Sequence, residues 1–244
     1  MELIPSIDLR GGKVVRLEQG DYARETIYDA DPVEQARRFA AAGVTRIHVV
    51  DLDAARDGGA GNAHVMHAIV AACPSTAVQV AGGMRSLERV KAAFDAGASR
   101  VVIGTAALED PDFVRAAARA YPERIVLGLD TKSGRVATRG WREVSTLTQD
   151  DVLAQFQGVP FGALLYTEIS RDGLLGGPDV EGTAALARRT KIPVIASGGV
   201  GSLADLERLA RTRVIAGAIV GRALYSGAID VRAALAAIAK SLAE

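Results

Sequence analysis

Along the 244 residues, short runs of valine, isoleucine and leucine alternate with longer stretches in which apolar residues return every three or four positions. The short runs read as buried strands and the longer stretches as amphipathic helices. Eight strand candidates follow: Leu3 to Ile7, Arg46 to Val50, Ala77 to Val80, Arg100 to Ile103, Arg124 to Leu129, Gly162 to Tyr166, Pro193 to Ala196 and Ala216 to Val220. Such short apolar strands suit a parallel sheet covered by helices. Helix starts are also legible. Asp31-Pro32-Val33-Glu34 offers a cap, a proline at the first helical position and an early glutamate, and Asp110-Pro111 repeats the device. Ser86 and Ser202 are expected to open helices, and an alanine-rich last helix over Val231 to Leu242 is expected to pack against the first.

The chain also repeats itself. Ala81-Gly82-Gly83-Met84-Arg85-Ser86-Leu87, followed by Val102-Ile103-Gly104-Thr105-Ala106, returns as Ser197-Gly198-Gly199-Val200-Gly201-Ser202-Leu203, followed by Ile219-Val220-Gly221-Arg222-Ala223. Gly198 lies 116 positions after Gly82, and Gly221 lies 117 after Gly104. Ile7-Asp8-Leu9-Arg10-Gly11-Gly12-Lys13-Val14 is echoed by Leu129-Asp130-Thr131-Lys132-Ser133-Gly134-Arg135-Val136, and Arg56-Asp57-Gly58 by Arg171-Asp172-Gly173. Matched segments in one order predict a single (βα)8-barrel domain over residues 1–244, built from half-barrels of about 1–122 and 123–244.

Composition narrows the partners. Lysine plus arginine equals aspartate plus glutamate at 29 each, so no global basic field favours nucleic acid or an anionic membrane. No apolar run reaches the roughly 18 residues of a membrane span, and the first residues lack a signal-peptide pattern, so a cytoplasmic protein is expected. The single cysteine, Cys73, reads as a packed residue at a helix end.

In a barrel of this kind the strand C-termini carry the chemistry. Asp8 and Asp130 end the first and fifth strand candidates, where each either caps a turn or faces the site. Gly82-Gly83 and Gly198-Gly199 precede helix N-termini, whose free N–H groups receive phosphate oxygens. Gly104-Thr105 and Gly221-Arg222 supply the neighbouring loops, so two phosphates on one substrate are expected. Arg16, Arg85, Arg139 and Arg222 are candidate phosphate ligands, with Arg222 and Arg16 favoured. Trp141 in a polar loop suits stacking on a flat ligand. Thr167 either caps its loop, bonds a reacting hydroxyl or holds Asp130, and Asp172-Gly173 sits in a long lid-like loop ending at Gly176-Gly177-Pro178. Asp51 ends the second strand candidate and is expected to orient a ligand or a neighbour. His48 inside a strand and the His64/His67 pair do not suggest a metal site.

The segment from Ser6 to Leu17, the two Gly-Gly loops, Gly140-Trp141 and the segment from Thr167 to Gly173 together resemble the HisA family. Its members are the phosphoribosylformimino-aminoimidazole carboxamide ribotide isomerases of histidine biosynthesis. The resemblance implies an Amadori rearrangement of the aminoaldose ProFAR to the aminoketose PRFAR, on a small bisphosphorylated substrate and without a cofactor. It implies Asp130 as general acid, Asp8 as general base and Thr167 in support, with Trp141 stacked on the imidazole carboxamide. It also assigns Arg16, Gly82, Gly83, Gly104, Thr105, Asp172, Gly173, Gly198, Gly199, Gly221 and Arg222 to substrate and phosphate binding. A monomer is expected. Asp179 departs from the asparagine common there, and Ser6-Ile7-Asp8 departs from the Cys-Leu-Asp of the related cyclase. Two other readings are an isomerase that also acts on phosphoribosyl anthranilate in tryptophan biosynthesis, and a non-catalytic phosphosugar-binding barrel.

Overall fold

The computed structural model describes residues 1–28, 30–59 and 61–244. Its strands are β1 (Glu2–Arg10), β2 (Lys13–Glu18), β3 (Asp21–Tyr28), β4 (Arg46–Asp51), β5 (Ala77–Ala81), β6 (Arg100–Ile103), β7 (Ile125–Lys132), β8 (Arg135–Thr138), β9 (Glu143–Val144), β10 (Ala163–Glu168), β11 (Val194–Ser197) and β12 (Ile215–Val220). The helices are α1 (Pro32–Ala41), α2 (Leu52–Asp57), α3 (Ala63–Ala72), α4 (Leu87–Asp95), α5 (Ala106–Glu109), α6 (Pro111–Ala120), α7 (Gln149–Gln155), α8 (Val180–Arg189), α9 (Leu203–Arg211), α10 (Arg222–Tyr225) and α11 (Val231–Ala243).

Eight strands close a parallel ring in the order β1, β4, β5, β6, β7, β10, β11, β12, with β12 returning to β1. This is the (βα)8 barrel. Alternation along each strand divides the apolar side chains into two layers. Ile4, Val102, Val126, Leu165, Ile195 and Ile219 belong to a compact cluster in the barrel interior. Leu3, Ile7, Ile47, Val101, Leu127 and Leu164 belong to the larger layer beneath the helices. Burying a side chain of this size contributes roughly 1.5–3 kcal/mol, so the two layers hold each strand from both faces.

The expected caps form. Asp31 and Asp110 accept from the N–H groups of Glu34 and Phe113 at 2.9 and 3.0 Å. Ser86 and Ser202 accept from Arg89 and Asp205 at 3.4 and 3.3 Å. Asp179, the departure noted above, also caps its helix, accepting from Gly182 N–H at 3.0 Å. Among the described residues, no helix is long and apolar enough to cross a membrane.

Three expectations need correction. Asp8 and Asp130 do not end their strands: β1 runs on to Arg10 and β7 to Lys132, because each leaves the barrel to pair antiparallel with β2 or β8. These excursions, β2–β3 and β8–β9, are hairpins where loops were expected. The last helix, α11, packs closely along α9, and reaches the first unit where Leu235 Cδ1 lies 3.8 Å from the Cβ position of Gly43.

Candidate active site

Ser6 and Asp8 share one face of β1 because side chains two apart point the same way. Ser6 Oγ donates to Asp8 Oδ1 at 2.8 Å. On β2, Val15 is the register partner of Asp8, which brings the next residue, Arg16, over the same face. Arg16 Nη1 donates to Asp8 Oδ2 at 2.7 Å and to Ser6 Oγ at 3.1 Å. Burial disfavours the Arg16 charge, but the carboxylates of Asp8 and Asp172 outweigh that and hold its pKa above the ordinary arginine value. Its Nη2 lies so close to Gly221 that any side chain there would collide with it. Arg16, read from sequence as a phosphate ligand, therefore stands between Asp8 and the last glycine loop.

Asp130 has a different setting across the barrel. Thr167 is its register partner on β10, and the Cβ position of Gly104 is 3.9 Å from Oδ2. Burial pushes the Asp130 pKa up, while donors on Trp141 and Thr167 pull it partly back. The Trp141 indole arrives from the β8–β9 turn and lies on Gly20, where an added Cβ would strike the ring. Gln19 and Gly20, with φ of 51° and 74°, form the two-residue turn between β2 and β3 that brings this surface under the indole.

Asp172 is the third carboxylate at the mouth. Burial, reinforced by the charges of Asp8 and Asp130 and opposed by Arg16, raises its pKa to about 6. Its loop is tied to the hairpin. Gln19 N–H donates to Asp172 O at 3.3 Å, and Gln19 Nε2 donates to Ser170 O at 2.9 Å. Gly173 offers its carbonyl to Arg222. Arg222 therefore engages the loop, with Glu18 Oε2 3.6 Å from its Nη1.

The glycine pairs are alike in detail. Gly82 and Gly198 have φ of 101° and 91°, and each faces the backbone of the preceding strand end: at Gly82 a side chain would collide with Asp51 O, and at Gly198 it would press closely on Glu168 O. Asp51 and Glu168 are themselves matched, accepting from Ala54 N–H at 2.9 Å and Ser170 N–H at 3.2 Å. Gly83 is equally tight against Ala54, and Gly199 against Gly177 and Arg171. In the neighbouring loop Thr105 Oγ1 accepts from Arg139 N–H at 2.9 Å, holding the turn that carries Trp141.

One cavity at the C-terminal mouth is lined by Asp8, Asp130, Asp172, Trp141 and both glycine pairs. Thr105, Thr167, Arg16, Gly221 and Arg222 line it too. One sequence candidate turns elsewhere, Arg139, which pairs with Glu109 at 2.8 Å and Glu143 at 3.1 Å, whereas Arg85 lines the cavity while donating to Ala55 O at 3.0 Å. Asp51 serves structure, accepting Asn62 N–H and Nδ2 at 2.9 and 2.7 Å while Asn62 Oδ1 receives Gly12 N–H at 2.8 Å.

Ser6 and His48 were not assigned to the site from sequence, His48 having been considered only as a metal ligand, yet both line the cavity. Their signal was a polar residue at an inward position of a barrel strand. His48 Nδ1 lies 3.1 Å from Gln79 Nε2, and burial, with the Arg16 charge nearby, lowers its pKa to about 3. It is a neutral imidazole at pH 7.

The profile of the histidine biosynthesis protein family matches residues 2–230. The chain belongs to this family. A relative from Methylocella silvestris is 49% identical over 243 residues, covering 99% of this chain and 98% of its own. One from Rhizorhabdus wittichii is 50% identical over 235 residues, 96% of each chain, and one from Roseobacter denitrificans is 48% identical over 238 residues, 98% and 99%. All three are named 1-(5-phosphoribosyl)-5-((5-phosphoribosylamino)methylideneamino)imidazole-4-carboxamide isomerase. Within this family, the resemblance from Ser6 to Leu17 and from Thr167 to Gly173 covers the segments that build the two carboxylate environments.

Proposed function

We propose that this protein catalyses the Amadori rearrangement of ProFAR to PRFAR in histidine biosynthesis, in the cytoplasm, on a substrate held by one phosphate at each half-barrel. The observation that carries the reading is the unlike setting of two carboxylates on opposite strands of the ring. Asp130 is buried among neutral donors with a raised pKa, and Asp8 is the anionic partner of Arg16.

A buried carboxyl with a raised pKa suits an acid and an ion-paired carboxylate suits a base. Asp130 protonates the ribose ring oxygen, and the ring opens to an imine. Asp8 then takes the proton from C2′, giving an enolamine, and protonation of C1′ with loss of the 2′-hydroxyl proton yields the ketone. The reaction is an isomerisation, with no net oxidation and no group lost. Phosphate anchoring at the Gly82-Gly83 and Gly198-Gly199 cradles stretches the substrate across the mouth and fixes the ribose between acid and base. Trp141, whose indole is near Asp130, stacks on the imidazole carboxamide in this reading.

The names of the relatives favour this reading over the two alternatives. Steady-state assay of purified protein with ProFAR tests it. Turnover at an enzymatic rate is expected, and binding without turnover would overturn it. Turnover of phosphoribosyl anthranilate at a comparable kcat/KM would replace it with the dual-substrate reading.

A further inference from the structure

The two halves match at their glycine loops but differ in what those loops face. Gly104 looks onto Asp130 itself, whereas Gly221 looks onto a guanidinium that holds Asp8. We propose that Arg16 is a positioning residue that couples phosphate docking in the Gly198-Gly199 and Gly221 cradle to the strength of the base, a step that rests on the isomerase reading above.

Three observations carry it. Arg16 Nη1 is committed to Asp8 and Ser6. Arg16 Nη2 lies against Gly221 and donates to no protein acceptor among the described residues. Arg16 Nε is buried with no partner among the described residues. A buried guanidinium donor left unmade is costly, and a planar fork suits bidentate capture of phosphate oxygens. The side chain is only 10% exposed, so an arriving dianion meets a cation screened little by water.

While the cradle is empty, the Arg16 charge faces the carboxylates of Asp8 and Asp172. A docked phosphate shares that charge, and the carboxylate becomes more basic just when the C2′ proton is presented. Binding energy from a remote part of the substrate is thereby used at the reacting carbon. The other titratable groups facing the pair are Asp172 on the lid loop, His48 on β4, Tyr28 on β3 and Tyr225 on α10. Tyr225 is further fixed by donating to Ser6 O at 2.9 Å.

The test uses the two substrate analogues that each lack one phosphate, assayed with and without inorganic phosphite. Phosphite is expected to raise kcat/KM for one of the two analogues by about tenfold or more. In Arg16→Lys, which keeps the charge but not the fork, that activation is lost while ProFAR is still turned over slowly. The acidic limb of the wild-type pH profile, which reports the base, should also lie at higher pH in kcat than in kcat/KM, and in Arg16→Lys this gap should close. Normal ProFAR turnover by wild type with no phosphite effect on either analogue overturns the coupling and leaves the isomerase reading intact. Equal phosphite activation in wild type and Arg16→Lys also overturns it. Absence of ProFAR turnover by wild type removes the reading and the coupling together.

Discussion

Asp130 and Thr167 face each other across the parallel ladder of β7 and β10, in register at the rim of the barrel. The hydroxyl helps to stabilise the ionised carboxylate and so limits how far burial lifts the Asp130 pKa. In Thr167→Val the pKa of the acid should rise, and Asp130 should stay protonated to higher pH. The alkaline limb of the kcat/KM profile is expected to move upward, with kcat reduced by about tenfold. A limb that stays in place would mean that Thr167 does not act on Asp130.

Asp8→Asn and Asp130→Asn remove the base and the acid without changing side-chain shape. Each is expected to lower kcat by roughly a hundred- to ten-thousand-fold, with affinity for a bisphosphorylated product analogue preserved. Calorimetric titration beside steady-state kinetics separates the two effects. Near-normal turnover in either variant would refute the role given to that residue.

Gly20→Ala places a methyl group where the Trp141 ring now lies, at a backbone φ of 74° that disfavours alanine. The indole should be pushed from its seat, and a displacement of about 1 Å near the reacting groups costs on the order of a hundredfold in rate. Trp141 is the sole tryptophan, so its fluorescence reports the change directly. An unchanged emission spectrum would argue against the contact.

His48 is buried with a pKa of about 3, well below its value in an unfolded chain. The unfolded state therefore binds the extra proton between these two values, and stability falls as pH drops through that window. Replacing His48 by Gln should remove a loss on the order of 2 kcal/mol between pH 7 and pH 5, read by urea denaturation. Asp172, raised to about 6, acts in the opposite direction, gaining stability as pH falls toward 5 and Asp172 takes up its proton. The comparison is thus the difference between variant and wild type, to which Asp172 contributes equally.

The eight barrel strands were legible because each is a nearly unbroken apolar run such as Val101-Val102-Ile103, flanked by caps at Ser86 or Asp110. The hairpins were not. Strand β3 mixes Arg24, Glu25 and Thr26 with Ile27, and in its partner β2 Arg16 interrupts the apolar Val14, Val15 and Leu17. The repeat made both aspartates and both glycine pairs visible. It could not reveal that Arg16 turns to Asp8, Arg139 to Glu109 and Arg222 to Gly173, because those choices depend on tertiary neighbours.

The apolar interior layer has a consequence for isotopes. Ile4, Val102, Val126, Leu165, Ile195 and Ile219 plug the barrel beneath the carboxylates, so a proton held by Asp8 meets bulk solvent by way of the mouth. How much deuterium from heavy water appears at C1′ of the product, the carbon that is protonated as the ketone forms, then becomes a clock for the opening of the Gln19–Asp172 seam relative to the chemistry.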